Sequence, residues 1–189
     1  MDKKSLRGIY FEKRKALTLN DKLILEESIV YHLVDNFSFS GKVFSCFLPI
    51  LSKNEIDTWV VINKICVDGG KIGLTVWNMK TDTLTHRLYS ENSKIELNSF
   101  GIPEPINGDM MPIDEFDYVI VPLLVADING HRVGYGKGVY DRFLSSCSKN
   151  TKFIGLSLFD LVAPIDDINV LDIPLDACIT PAKCIFFEK

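Results

Sequence analysis

Residues 116–142 read FDYVIVPLLVADINGHRVGYGKGVYDR, and the order of the parts in this stretch decides the fold. Phe116 to Ala126 is the longest apolar run of the chain and predicts a central strand buried on both faces. Asn129-Gly130 then marks a turn, and Gly134, Gly136 and Gly138 follow at alternate positions. A helix is expected from about Val139 to Cys147. A buried strand that feeds a glycine loop and then a helix belongs to an α/β protein with a mostly parallel sheet.

The flanks repeat the alternation. Lys3 to Leu17 is a basic helical stretch in which Leu6, Ile9 or Tyr10, and Leu17 share one face while Lys3, Arg7 and Arg14 line another. Asp21 opens a second helix to about Asn36, with Leu23, Ile24, Ile29, Val30 and Leu33 as its buried stripe. Lys42 to Leu48 is a strand closed by Pro49, which cannot donate to a ladder. After a polar loop at Ser52 to Asn54, a helix is expected from Glu55 to Val67, stopped by Gly69 and Gly70. Strands follow at Lys71 to Trp77 and Thr83 to Tyr89, then a turn-rich loop at Ser99 to Asp109. Phe153 to Leu158, Ala177 to Thr180 and Cys184 to Phe187 complete the sheet. With no repeat or linker, the expectation is one α/β domain over residues 1–189, with helices on both faces of the sheet.

Composition removes other classes. In 189 residues, 47% are hydrophobic and 24% charged, the balance of an ordinary globular protein. The net charge of −4 gives no global basic footprint for nucleic acid. No run approaches the ~20 apolar residues of a membrane helix, and the basic start lacks the apolar core of a secretory signal. The five cysteines are odd in number and show no CxxC spacing, so they read as reduced thiols in a cytoplasmic protein. A monomer acting on small molecules is expected, with no nucleic-acid or membrane partner.

Ligands of such sheets bind beyond the carboxyl ends of the strands. There the three glycines let backbone amides approach a ligand, and Lys137 and Arg132 add positive charge, a combination that suits polyphosphate. The loop is neither a Walker A sequence, since GKG lacks the Ser or Thr after Lys, nor the GxGxxG dinucleotide fingerprint. Asp141, in the first turn of the following helix, suits either Mg²⁺ or the helix dipole. Asp172 and Asp176 are loop caps or a second metal ligand, and Glu55 reads as an exposed carboxylate at a helix start that could accept hydrogen bonds from a ligand. His32, His86 and His131 have no metal spacing, GLSLF is not a nucleophile elbow, and no cysteine has an activating context.

The stretch VPLLVADINGHRVGYGKGVYDR, Val121 to Arg142, closely resembles the signature of the 5-formyltetrahydrofolate cyclo-ligase family, also called methenyltetrahydrofolate synthetases. KKSLR near the amino terminus, FLP followed by EIDT, FGIPEP and DIPLDACIT agree in order and spacing, so the resemblance covers almost the whole chain. It implies a three-layer α/β/α, Rossmann-like domain of the sugar-phosphate isomerase and CoA-transferase type. It also implies ATP-dependent, Mg²⁺-requiring cyclisation of 5-formyltetrahydrofolate to 5,10-methenyltetrahydrofolate, with ATP as co-substrate. Carried over by position, ATP would be bound by Lys3, Lys4, Ser5, Leu6 and Arg7 and by Arg132, Val133, Gly134, Tyr135, Gly136, Lys137, Gly138, Val139 and Tyr140. Lys137, Arg132 and Tyr140 would serve catalysis, and Asp141 and Asp172 would hold the metal. Leu48 and Glu55 would contact the folate, and Tyr135 to Val139 would lie between the two ligands.

The chain departs from the family pattern in three places. Val139 stands where the first tyrosine of GYYD is usual, KIGLTVW lacks the following Pro-Arg-like pair, and two more residues than in some members separate FLP from EIDT. Two other readings are a sugar-phosphate isomerase or CoA-transferase-like enzyme that needs no ATP, and a non-catalytic nucleotide or folate module that keeps the pocket.

Overall fold

The computed structural model describes residues 1–188. A seven-stranded sheet forms the middle layer, in the order β11-β10-β9-β6-β1-β2-β3. Its parallel core consists of β1 (Val43–Cys46), β2 (Lys71–Asn78), β6 (Tyr118–Val121), β9 (Lys152–Leu156) and β10 (Ala177–Ile179). The two edges, β3 (Thr83–Leu88) and β11 (Cys184–Phe186), run antiparallel.

Both faces of the central strands are covered, which is why these strands read as apolar runs. Ile120 and Ile154 point into one core with Ile29 and Leu33 of α2 (Leu19–Asn36) and Val61, Ile62 and Ile65 of α3 (Thr58–Val67). Their neighbours Val119, Val121 and Phe153 point into the opposite core, with Phe143 and Leu144 of α4 (Val139–Ser145). This alternation, with a period of two, yields the three-layer α/β/α arrangement. Helix α1 (Lys3–Ala16) packs through Leu6 on Val125 and Val133, which belong to a small hairpin of β7 (Val125–Ala126) and β8 (Arg132–Val133).

Four expectations need correction. Phe116 to Ala126 is not one strand: β6 stops at Val121, because Pro122 has no N–H for the ladder, and the chain turns into the hairpin. The Leu124 amide already donates to the Val133 carbonyl at 2.8 Å. In α2 the buried stripe is Lys22, Glu26, Ile29 and Leu33, while Leu23 and Ile24 are exposed. The polar pair is kept inside because Lys22 and Glu26 are 3.4 Å apart and Glu26 also accepts the Asp57 amide at 2.6 Å. Residues Pro103–Pro105 of the turn-rich loop form β5, paired antiparallel with β4 (Ile95–Leu97). Finally, α3 begins at Thr58 rather than at Glu55, because Asp57 caps it by accepting the Trp59 amide at 2.9 Å.

Strand order reverses between β1 and β6, since β1 leads outward to β2 on one side while β6 leads to β9 on the other. The carboxyl ends of these two strands open a crevice, the place where an open α/β sheet receives ligands. None of the helices is long and apolar enough to cross a membrane among the described residues, and all five cysteines are free.

Candidate active site

A cavity of about 430 Å³ fills that crevice. Its floor is formed by the segments that leave β1 and β6, with Leu48 and Pro122 exposed to it. Asp127 fixes the hairpin beside it: this fully buried carboxylate accepts the amides of Asn129, His131 and Ile165, each at 2.9 Å. The glycine loop is thereby launched over the cavity mouth.

Within the loop, glycine is required at two positions and not at the third. Gly136 (φ +88°) and Gly138 (φ +65°) lie in the left-handed region that side chains disfavour. A Cβ on Gly136 would sit 3.1 Å from the Arg7 guanidinium. Gly134 has neither a positive φ nor a neighbour within 4 Å of an added Cβ, so its backbone conformation does not demand glycine. Gly138 is the N-cap of α4 and offers no capping side chain.

Cations reach the cavity from two distant parts of the chain. Lys3 and Arg7 lie one helical turn apart on α1 and share a face. Arg7 Nε donates to the Gly134 carbonyl at 2.8 Å, which ties α1 to the loop. Lys3 Nζ pairs with Asp172. Leu6 instead points into the contact with the hairpin, Lys4 and Ser5 face solvent off the cavity wall, and Val133 is buried in β8. The amino-terminal motif therefore brings two of its five side chains to the site, as helical periodicity allows.

Arg132 is a hub. Its side chain is only 7% exposed, and it bonds the Ile173 carbonyl and, at 2.7 Å, Asp141. Burial lowers its pKa and the Asp141 charge opposes that shift. Tyr140 also lines the cavity, and burial pushes its phenol far above the ordinary value, so it is neutral at pH 7. The Lys137 ammonium lies between two aromatic rings, 4.2 Å from the centre of Trp77 and 4.8 Å from that of Phe100. Val139 packs against the same core as Trp77.

Asp141 and Asp172 both face the cavity, and each already has a cationic partner. Asp141 accepts Arg132 and the Ile173 amide (3.2 Å) on Oδ1. Asp172 accepts Lys3 and the Asn169 amide (2.6 Å) on Oδ2. Burial alone would raise the Asp172 carboxyl, but the hydrogen bonds from Lys3 and Asn169 outweigh it and hold the pKa below the usual range. Among the described residues no three His, Cys, Asp or Glu side chains form a ready-made metal cage. A magnesium ion shared with phosphates needs only one or two carboxylates. Asp141 Oδ2 and Asp172 Oδ1, not engaged by these bonds, fit that requirement. Asp176 is committed elsewhere, accepting the Phe153 amide at 2.8 Å off the cavity wall.

Glu55 differs most from its expected setting. It is not an exposed helix-start residue but is buried, 3% exposed, in the turn before α3. The Ile50 amide donates to Oε2 at 2.7 Å and the Tyr135 hydroxyl donates to Oε1, leaving the carboxylate on the cavity wall. Arg14, expected to share a helix face with Lys3 and Arg7, is likewise buried. The aromatic wall of Trp77 and Phe100, together with Glu104, which accepts the Trp77 amide at 2.8 Å, was not among the expected site residues, although Phe100 and Glu104 lie within the FGIPEP motif.

Fold and cavity define a class: an α/β enzyme whose switch-point crevice sets a cationic glycine loop against a buried carboxylate and an aromatic wall. Comparison with known proteins narrows that class. Residues 1–181 match the 5-formyltetrahydrofolate cyclo-ligase family. The chain is 30% identical over 133 residues to the 5-formyltetrahydrofolate cyclo-ligase of Escherichia coli, covering 68% of this chain and 73% of that protein. It is 24% identical over 185 residues to the Mus musculus protein of the same name, covering 92% and 87% of the two chains. The solution structure of Aquifex aeolicus 5,10-methenyltetrahydrofolate synthetase superposes with a TM-score of 0.77 at 25% identity, covering 100% of this chain and 94% of that one. The Mycoplasma pneumoniae synthetase shares the fold with a TM-score of 0.73 at 22% identity, over 96% and 99% of the chains. The chain belongs to the 5-formyltetrahydrofolate cyclo-ligase family.

Proposed function

We propose that the chain catalyses ATP-dependent closure of 5-formyltetrahydrofolate to 5,10-methenyltetrahydrofolate, releasing ADP and phosphate, as a cytoplasmic enzyme. One observation carries this reading. Lys3 and Arg7 from α1, Arg132 from β8 and Lys137 from the glycine loop converge on one cavity whose other wall is Glu55 with Trp77 and Phe100. The cationic side suits a triphosphate, and the carboxylate with its aromatic neighbours suits a flat heterocycle rich in N–H donors.

The chemistry needs two steps. The N5-formyl oxygen attacks the γ-phosphorus and ADP leaves, which gives an iminium phosphate on the folate. N10 of the same molecule then adds to the formyl carbon and gives up its proton, and phosphate departs with the electrons of the C–O bond and that proton as the five-membered ring closes. Charge on the moving phosphoryl group is the main burden of the first step, and fixed cations carry it best. Lys137 reaches the phosphates by leaving its aromatic neighbours, a loss of about 0.5–1 kcal/mol for each exposed contact. Arg7 holds the loop through the Gly134 carbonyl and offers its remaining donors to phosphate oxygens. Arg132 orients Asp141, and Lys3 orients Asp172. These two carboxylates would hold Mg²⁺, which when bound neutralises phosphate charge. The second step is intramolecular, so holding the pterin end on Glu55 and Leu48 contributes through positioning.

The test is turnover: purified protein given (6S)-5-formyltetrahydrofolate and Mg²⁺-ATP is expected to form the near-UV-absorbing methenyl product. No product with folded protein would overturn the proposal, and product without ATP would favour chemistry of another kind.

A further inference from the structure

Glu55 and Arg14 are 3% and 4% exposed, and neither has a salt-bridge partner of its own among the described residues. A buried charge with no counter-charge is strongly disfavoured. The two are joined instead through one hydroxyl: Arg14 Nη2 lies 2.6 Å from the Tyr135 oxygen, and Tyr135 in turn bonds Glu55 Oε1. The direction of both bonds follows from the inventory of donors. A guanidinium can only donate, so the phenol oxygen accepts from Arg14 and its single proton points to Glu55. The ring is also held between cations, with Lys53 Nζ 4.1 Å and the Arg14 guanidinium carbon 5.6 Å from its centre. Asn54 completes the connection, donating from its amide to the carbonyls of Arg14 (2.8 Å) and Leu17 (3.2 Å), which fastens the end of α1 to the turn that carries Glu55.

We infer that Arg14 is a positioning residue of the folate site, acting across the Tyr135 hydroxyl to neutralise the Glu55 carboxylate and hold it in one orientation on the cavity wall. The inference rests on the reading of Glu55 as the acceptor for the pterin. A carboxylate offers about four acceptor positions. The protein occupies one on each oxygen, through Ile50 and Tyr135, which leaves one on each for a substrate edge. The edge that fits carries two parallel N–H donors, as the N3–H and 2-amino groups of a pterin do. Arg14 touches no substrate. Its charge serves the site only through Tyr135, so the two residues act as one unit and the loop that approaches the nucleotide also braces the folate acceptor.

The experiment compares Arg14→Met, Tyr135→Phe and the double variant by calorimetric titration with 5-formyltetrahydrofolate in the absence of nucleotide. Mg²⁺ with a non-hydrolysable ATP analogue is titrated separately. Folate affinity is expected to fall about tenfold or more in each single variant, as for loss of a hydrogen bond to a charged group. The double variant should fall no further, and in Arg14→Met, which lies off the cavity wall, nucleotide affinity should stay near that of the wild type. Tyr135→Phe keeps the ring and its cationic neighbours, so it tests the bridge even if Arg14→Met fails to fold. Unchanged folate affinity in Tyr135→Phe, equal losses for both ligands in Arg14→Met, or additive losses in the double variant overturn the inference alone. A wild type that takes up no folate overturns the reading of Glu55 and the inference with it.

Discussion

Alanine at Gly136 and alanine at Gly134 are the same chemical change two residues apart, and their effects should differ sharply. At Gly136 the backbone sits at φ +88°, where an L-residue is disfavoured by about 1–2 kcal/mol. The new methyl carbon would also stand 3.1 Å from the Arg7 guanidinium, which must retreat. Its hydrogen bond to the Gly134 carbonyl, now 2.8 Å, is then stretched or lost. A hydrogen bond from a charged donor contributes about 1.5–3 kcal/mol when shielded and less here, since Arg7 is half-buried and water can replace the carbonyl. Together the two effects amount to about 2–4 kcal/mol. That sum is divided between stability and nucleotide binding, according to whether the loop keeps its shape. At Gly134 an added methyl meets nothing within 4 Å, and a compatible Gly→Ala change shifts stability by less than about 1 kcal/mol, often favourably. Urea denaturation read alongside calorimetry with Mg²⁺-ATP separates the two contributions. A Gly136→Ala protein as stable as the wild type and binding ATP as tightly would refute the assignment of this loop.

Lys137→Ala removes an exposed cation that rests on the Trp77 and Phe100 rings, so stability should fall by about 1 kcal/mol or less while methenyl formation drops to background. A kcat near the wild-type value would remove Lys137 from the mechanism. Asp141→Asn should raise the Mg²⁺ concentration needed for turnover and, by leaving the buried Arg132 without its charge partner, destabilise the fold by about 1–3 kcal/mol. An unchanged metal titration excludes Asp141 as a ligand. His86 gives a pH test: burial lowers its pKa from 6.5 to about 3, so the folded state resists its protonation. Its contribution is complete above pH 6.5 and is lost by about 1.4 kcal/mol per pH unit as pH falls toward 3. The difference in denaturation free energy between wild type and His86→Gln should therefore shrink with acidification, and a pH-independent difference would contradict the burial argument.

The alternation of apolar strands with helices, and the glycine loop after the most buried strand, were legible because each is a local pattern. Pro122 was legible too, yet its effect was not drawn: its missing N–H ends β6 at Val121, whereas β1 stops at Cys46, before the expected close at Pro49. The Lys22–Glu26 pair shows why a helical stripe misleads, since two opposite charges can enter a core together once a third group, here the Asp57 amide, completes their bonds. Residue type and spacing pointed to the candidates on the loop, whereas Lys3 and Arg7 on α1 were singled out only by the family resemblance. Their partners were not legible. Lys3 with Asp172 and Arg14 with Tyr135 join positions far apart in the chain, and nothing in a linear sequence states which cation meets which acceptor. Glu55 was misjudged for the same reason, because its burial is set by Tyr135 and Ile50 rather than by the residues that follow it.

The perch of Lys137 has an optical consequence. The chain has two tryptophans, and among the described residues only Trp77 lies against an ammonium group, while Trp59 on α3 packs edge-on to Tyr89 at 5.8 Å. Indole emission depends on the electric field across the ring, so departure of that ammonium toward a triphosphate changes the light from one fluorophore and leaves the other as a steady background. If the cavity binds a nucleotide as proposed, the protein would carry its own built-in gauge of that occupancy.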